Sequence, residues 1–132
     1  MLKQVSLTAL VTALALLTYM VISINVGRAR VKFDVKPPNT TGNPNFERYM
    51  RVQQNMLENI VPFLGGLWLF SVLVDPKIGA GLGGVWILGR ILYAWGYYQA
   101  AEKRGPGFGI AILAQLALIL GSIYGAIMNV LH

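Results

Sequence analysis

The chain has no cysteine, a single histidine and few acidic residues. Its 132 residues include Cys 0, His 1 and Asp+Glu 5, and the histidine is the last residue, His132. These absences exclude disulfides, a cysteine nucleophile, a Cys/His zinc site and a Ser-His-Asp triad. Any chemistry must therefore use arginine, tyrosine, glutamate, asparagine or glutamine side chains, or a reactive group that a ligand carries.

Charge is also scarce over most of the length. Charged residues make up 12% of the chain and hydrophobic residues 55%, whereas soluble domains carry roughly 25% charged residues. Uncharged runs occupy residues 4–27, 59–74, 78–89 and 105–131. The outer two exceed the roughly 20 residues that cross a bilayer, and the inner two reach that length when they are extended through flanking polar residues. We predict an all-α integral membrane protein, a single four-helix transmembrane domain over residues 1–132 with spans at about 5–26, 46–73, 78–101 and 107–131.

Basic residues cluster at two of the predicted connections. The first run is expected to be a retained span, because only Lys3 precedes it and no small-residue cleavage site follows it. Loops one and three, after the first and third spans, carry or adjoin Arg28, Arg30, Lys32, Lys36, Arg48, Arg51, Lys103 and Arg104. The positive-inside rule places these loops in the cytoplasm and both termini on the opposite side, in a bacterial inner membrane or the endoplasmic reticulum. No nucleic-acid partner is expected from the net charge of +6, because no basic helix face is free in water.

Two of the spans carry polar stripes. One stripe covers roughly 80° of a helix at about 100° per residue and consists of Arg48, Arg51, Asn55 and Glu58. The other covers roughly 60° and consists of Arg90, Tyr93, Tyr97 and Arg104. Both stripes start from the same side of the membrane. They predict the walls of a site for a charged ligand at the membrane edge.

Arg90 is the deepest of these charges. It lies about 21 Å along its helix from Arg104, near the middle of the membrane, where an ionised side chain costs at least a few kcal/mol unless it is paired or hydrated. Glu58 is the most available partner in the chain, and a buried structural pair and direct ligand contact are both open for the two residues. Arg48 either binds water and headgroups or joins the site. A ligand with two carboxylates and an ammonium group, such as glutathione, matches the stripes.

The spacing FERxxRxQxNxxE, followed by GRxxYxxGY and Arg104, carries a resemblance to a known family. The chain resembles the membrane-associated proteins of eicosanoid and glutathione metabolism, the MAPEG family, in its microsomal glutathione transferase and leukotriene C4 synthase branch. The resemblance covers most of the chain and is densest at residues 27–63 and 89–108. It implies a homotrimer of four-helix subunits in the lipid bilayer, with glutathione bound between neighbouring subunits near the cytoplasmic face.

The resemblance also implies a role for each site residue. Glutathione would be bound by Arg30, Arg51, Gln53, Asn55, Glu58, Tyr93 and Tyr97. Arg104 would face the sulfur as the catalytic residue, with Arg48 and Arg90 in supporting positions. Gln53 points well away from Arg51 on a helix, which favours a site shared across a subunit boundary. Glutathione is the expected co-substrate, and no metal is expected.

The predicted function is conjugation of glutathione to hydrophobic electrophiles that arrive from lipid. Peroxidase activity towards lipid hydroperoxides and leukotriene C4 synthesis are further options. Val31 stands where some relatives have a second arginine proposed to assist an epoxide oxygen, which favours general conjugation. Two alternatives are a non-catalytic lipid-binding accessory protein of the same family and a small exporter with Glu58 as a proton-coupled carboxylate. The presence of Arg104 argues against the first, and the clustered arginines argue against the second.

Overall fold

The computed structural model of the chain describes residues 2–132. Its elements are α1 (Leu2–Phe33), α2 (Pro44–Leu73), α3 (Pro76–Gln99), a 3₁₀ helix (Ala101–Arg104) and α4 (Gly105–Leu131). The four long helices are each long and apolar enough to cross a membrane, and residues 2–132 contain no strand. The predicted all-α four-helix membrane bundle is therefore confirmed.

The helix ends differ from the ends of the apolar runs. The first helix continues to Phe33, beyond the predicted end of the span near residue 26. Hydropathy indicates where the membrane ends, whereas arginine and lysine favour helix about as well as leucine does, so α1 extends past the apolar run. The third helix ends at Gln99, and residues 101–104 form the 3₁₀ helix that leads directly into α4. This short connection keeps Arg104 beside the end of α3.

Short polar caps fix where α2 and α3 begin. The Asn43 side chain accepts hydrogen bonds from two backbone N–H groups of the first turn of α2, at 2.8 and 3.2 Å. Asp75 does the same for α3, at 2.7 and 3.0 Å. Each cap is followed by proline, Pro44 or Pro76, whose fixed φ suits the first helical position. Both helices therefore start at positions that the local sequence determines.

Aromatic and aliphatic side chains fill the space between the helices. Phe63 of α2 and Trp86 of α3 stack with ring centroids 3.8 Å apart and an interplanar angle of 2°. Leu67 and Leu118 are fully buried beside them. The outward faces are also apolar, with exposed side chains that include Leu10, Met20, Leu113, Leu120 and Val130. Such an outer surface suits contact with acyl chains and is rare on soluble monomers.

Glycines allow α3 and α4 to approach closely near the start of α4. A Cβ atom at Gly107 would lie 2.2 Å from the backbone nitrogen of Tyr93, and one at Gly89 would lie 2.7 Å from that of Ala111. Backbone atoms cannot move aside as the end of a flexible side chain can. A larger residue at either position must therefore push the two helices apart, and one at Gly107 must displace Tyr93.

We expect Gly107→Ala to lower the free energy of unfolding by about 1–3 kcal/mol, the usual range for overpacking. The measurement is the midpoint of thermal unfolding in detergent. Gly109→Ala is the matched control, because a Cβ there meets no atom within 4 Å. Equal midpoints for the two variants would contradict the close approach of α3 and α4.

Candidate functional site

A cavity of about 300 Å³ lies where the first turns of α4 meet α2 and α3. Its lining residues are Arg51, Asn55, Tyr93, Tyr97, Arg104, Gly105 and Phe108. The two polar stripes of the sequence therefore contribute to one space. Among the described residues, no Asp or Glu lines it. The cavity is therefore suited to an anionic ligand.

Arg104 stands at the edge of this cavity as the last residue of the 3₁₀ helix. Its Nη1 donates a hydrogen bond to the backbone oxygen of Ala101 at 2.7 Å. Its guanidinium carbon lies 5.6 Å from the centroid of the Tyr97 ring. A guanidinium has five N–H donors, so this arrangement leaves donors that can meet an anion in the cavity.

Arg51 provides the second cation, from α2. The side chain is exposed, and its Nη1 donates to Oε1 of Gln54 at 3.2 Å. On the facing wall, Tyr93 is 3% exposed and meets Tyr97 edge-on with ring centroids 5.6 Å apart. The cavity thus combines two arginines with hydroxyl and amide groups, a set that can bind carboxylates and a thiolate.

Arg90 lies behind this wall and is 1% exposed. Its Nη1 donates to Oδ1 of Asn55 at 2.8 Å, and its guanidinium carbon lies 4.7 Å from the Tyr93 ring centroid. Its Nε and Nη2 atoms are buried and have no hydrogen-bond partner within residues 2–132. Glu58, the partner considered from the sequence, is exposed and lies about one helical turn beyond Asn55 on α2. Arg90 therefore hydrogen-bonds Asn55. The aromatic rings of Trp86 and Tyr93 lie near the rest of its guanidinium group.

A series of hydrogen-bonded polar side chains continues from the partly buried Asn55 to the buried Gln115 and Trp86. Asn59 Nδ2 donates to the backbone oxygen of Asn55 at 2.8 Å and to its Oδ1 at 3.3 Å. Gln115 Nε2 donates to Oδ1 of Asn59 at 3.3 Å, and Trp86 Nε1 donates to Oε1 of Gln115 at 3.0 Å. This series of hydrogen bonds joins α2, α3 and α4 and orients the Asn55 amide at the cavity. The only sequence signal for it is that Asn59 follows Asn55 by one helical turn, because the other members come from different helices.

Three of the expected glutathione-binding residues lie outside this cavity in the same chain. Gln53 faces α1, where its Nε2 donates to Oγ of Ser23 at 3.1 Å. Arg30 binds the loop after α1: its Nη1 donates to the backbone oxygen of Asn39 at 2.8 Å, and its guanidinium carbon lies 4.9 Å from the Phe46 ring centroid. Neither Arg30 nor Gln53 lines the cavity, and neither does Glu58. The cavity of one chain thus contains part of the predicted set.

Arg48 connects the start of α2 to the end of α3. Its Nε donates to the backbone oxygen of Tyr98 at 3.3 Å, and its Nη2 donates to Oδ1 of Asn45 at 2.5 Å. This contact lies one helical turn from Arg51 and sets the position of α2 against α3.

For metal binding, residues 2–132 contain no group of three or more His, Cys, Asp or Glu side chains that could bind an ion.

Comparison with known proteins identifies relatives over most of the length. The profile of the MAPEG family matches residues 8–124. An uncharacterized protein of Synechocystis sp. is 60% identical over 115 residues, which cover 87% of this chain and 84% of that protein. Microsomal glutathione S-transferase 2 of Homo sapiens is 42% identical over 115 residues, 86% of this chain and 78% of that protein. Leukotriene C4 synthase of Cavia porcellus is 38% identical over 121 residues, 91% of this chain and 81% of that protein.

The family match and the fold agree. The matched range includes most of each of the four long apolar helices and every residue that lines the cavity. The chain is therefore an integral, multi-pass membrane protein that belongs to the MAPEG family.

Proposed function

We propose that the protein is a membrane-bound glutathione transferase that ionises the glutathione thiol and joins it to hydrophobic electrophiles. The observation that carries the proposal is the cavity in which Arg51 and Arg104 converge with Asn55 and two tyrosines, and which no Asp or Glu of residues 2–132 lines. Relatives named microsomal glutathione S-transferase 2 and leukotriene C4 synthase support it.

The chemical groups of glutathione match this lining. One of its carboxylates would pair with Arg51, since planar guanidinium groups bind carboxylates through two parallel hydrogen bonds. The amide of Asn55 and the hydroxyl of Tyr93 would hydrogen-bond the glutamyl end, beside the ring of Tyr97. The sulfur would then lie at Arg104.

Arg104 would act on the acidity of the thiol. A free thiol has a pKa of about 8.5, so only a few per cent is ionised at pH 7. A pKa near 6.5 corresponds to roughly 2.7 kcal/mol of preferential stabilisation of the thiolate. A guanidinium at hydrogen-bond distance can provide this, and it stays protonated where a lysine could lose its proton. The thiol proton leaves to water. The thiolate forms a carbon–sulfur bond with an electrophile that reaches the cavity from the bilayer, where apolar molecules are concentrated beside the sulfur. The electron pair of the broken bond leaves with the halide ion of an aromatic halide, or stays on the oxygen of an opened epoxide, which takes a proton from water.

A second copy of the chain would complete the site. Arg30 and Gln53 lie outside the cavity of their own chain, and Glu58 is an exposed carboxylate on a membrane-spanning helix. In an oligomer, Arg30 and Gln53 of one subunit would lie against the cavity of its neighbour. Arg30 would then bind the second carboxylate of glutathione, and Glu58 would face polar groups of the neighbouring subunit. The homotrimer that the family resemblance implies would do this, with loops one and three on the cytoplasmic side.

Binding of glutathione to the detergent-purified protein tests the proposal. We expect an ultraviolet thiolate band to appear when glutathione is added, and conjugation of an aromatic halide to follow. S-methylglutathione, which has no ionisable thiol, should bind without producing the band. Binding without thiolate or product would favour the accessory role, and absence of any glutathione binding would exclude the transferase. Reduction of a lipid hydroperoxide in the same preparation separates transferase from peroxidase activity.

Mixed oligomers test the shared site. If each site takes Arg30 from one subunit and Arg104 from its neighbour, mixing Arg30→Ala and Arg104→Ala chains at equal amounts should restore about a quarter of the wild-type sites, by random assembly. The measurement is conjugation by the co-expressed pair, compared with each variant alone. Activity no greater than the mean of the two separate variants would mean that both arginines act within one chain.

A further inference from the structure

The face of α1 that packs against α3 carries a groove and a cavity that the proposed transferase site does not use. The groove has a volume of about 380 Å³ and is lined by apolar side chains of both helices, among them Leu17, Val21 and Trp95. The cavity has a volume of about 310 Å³ and is lined by Arg28 and Lys32. The two spaces share a wall. They therefore form one continuous surface that changes from apolar to cationic along α1.

Asn25 and Tyr98 form the shared wall, since both residues line both spaces. Asn25 Nδ2 lies 3.4 Å from Oη of Tyr98, and the Tyr98 ring stacks on Tyr49 with centroids 4.1 Å apart and an interplanar angle of 16°. The stacked rings provide a rigid floor at the point where the surface changes character. Amide and hydroxyl groups at that point can hydrogen-bond an ester carbonyl.

The order of groups along α1 matches the order of groups in a glycerophospholipid. At about 100° per residue, Leu17, Val21, Asn25, Arg28 and Lys32 fall within roughly 80° of one face. Leu17 lies at the middle of α1, which runs from Leu2 to Phe33. From Leu17, Asn25 lies about 12 Å along the helix, Arg28 about 16 Å and Lys32 about 22 Å. Half of the hydrocarbon core is about 15 Å thick, so with Leu17 at the midplane the two cations reach headgroup depth.

Charge selects the kind of headgroup. Arg28 and Lys32 are exposed, and within the described chain no Asp or Glu lines the groove or the cavity. Two unopposed cations attract a phosphodiester and repel the ammonium group of a zwitterionic lipid. The cations also lie away from the proposed glutathione site, because Arg30 projects from α1 about 160° away from each of them.

We propose that the α1–α3 face is a binding site for an anionic glycerophospholipid of the surrounding bilayer, with one acyl chain in the groove and the phosphodiester between Arg28 and Lys32. The glycerol esters lie at Asn25 and Tyr98. The site is specific for a headgroup without an ammonium group, such as phosphatidylglycerol.

Native mass spectrometry of the detergent-purified full chain tests this site. Dioleoyl phosphatidylglycerol should stay bound in preference to dioleoyl phosphatidylethanolamine by at least ten-fold in dissociation constant. The double variant Arg28→Gln/Lys32→Gln should lose that preference. Lys103→Gln removes a cation that lines neither space and should keep it. Equal retention of the two lipids by the wild type, or equal loss in the double variant and the control, would overturn the proposal.

A second variant tests binding of the acyl chain in the groove separately from binding of the headgroup by the two cations. Val21 is 48% exposed, so Val21→Trp fills the groove without disturbing the buried core. It should weaken retention of phosphatidylglycerol about ten-fold, whereas Leu10→Trp, at an exposed position on the same helix outside the groove, should leave retention unchanged. Equal retention by both variants would show that the groove takes no acyl chain. Glutathione binding should be unchanged in every one of these variants, so a failure of this proposal is distinct from a failure of the proposed transferase function.

Discussion

Arg104→Ala is expected to remove the thiolate band of bound glutathione and to slow conjugation at pH 7 by at least about 25-fold. The estimate follows from ionisation alone: a thiol with a pKa near 6.5 is mostly thiolate at pH 7, and one with a pKa near 8.5 is about 3% thiolate. Loss of the contact that orients the sulfur adds to this effect. Affinity for glutathione should change less than the rate, because Arg51 and Asn55 still line the cavity.

The pH dependence of the conjugation rate tests whether Arg104 lowers the pKa of the glutathione thiol. With Arg104 present the thiol pKa is lowered, so the rate should be nearly constant above about pH 7. In the variant the thiol pKa returns upward, so the rate should rise about ten-fold per pH unit until about pH 8.5. Lys103→Ala is the control, since Lys103 is an adjacent cation that does not line the cavity and donates to Gln99 instead. A parallel pH profile for wild type and Arg104→Ala would exclude thiol ionisation as the role of Arg104.

Asn55→Leu should produce the largest loss of stability in the chain. Asn55 Oδ1 is the hydrogen-bond acceptor for Arg90, whose Nε and Nη2 have no partner within residues 2–132. Removing the acceptor leaves a buried guanidinium, 1% exposed, without a hydrogen bond. Leaving a buried polar group without its hydrogen-bond partner costs about 1–3 kcal/mol, and more when that group is charged. The expected result is a large drop in the thermal midpoint in detergent.

The double variant Asn55→Leu/Arg90→Met provides the control for this prediction. Replacing both partners with apolar side chains of similar size is often neutral, so the double variant should recover most of the lost stability. Gln115→Leu should have a smaller effect than Asn55→Leu, because Gln115 bonds Asn59 and Trp86 and does not contact Arg90. A double variant no more stable than Asn55→Leu would show that burial of the Arg90 charge is not the source of the cost.

The fold could be predicted because lipid imposes a simple rule on sequence. Every backbone polar group in the hydrocarbon core must be paired internally, so a long apolar run is a helix. Prediction was less accurate at the helix ends. Arg28 and Lys32 follow an apolar run but continue α1 to Phe33. The third helix ends at Gln99, two residues before the predicted end of its span at about 101, and residues 101–104 form a 3₁₀ helix. Hydropathy describes the transfer of side chains from water into lipid. It does not show where a helix ends or whether a connection is a 3₁₀ helix.

The candidate site could be predicted where one helix face defines it. Arg51 and Asn55 share a face of α2, Tyr93 and Tyr97 share a face of α3, and all four line one cavity with Arg104. The partner of Arg90 could not be deduced in the same way. Asn55 and Glu58 both lie on the polar face of α2, and the choice of Asn55 depends on the depth at which α2 and α3 cross. Helical periodicity gives the direction of a side chain and does not give this depth.

Among residues 2–132, no Asp or Glu lines the cavity beside Arg51 and Arg104, and this also affects how quickly different molecules arrive. Two cations at the membrane edge create a positive potential that extends about 8 Å into a solution of physiological ionic strength. This potential accelerates the diffusional encounter of anions and slows that of cations before any contact forms. The association rate constant of an anionic peptide should therefore fall as salt is added, while an uncharged molecule that travels through the bilayer is unaffected. Two reactants of opposite character would thus reach one cavity by separate routes, each with its own rate law.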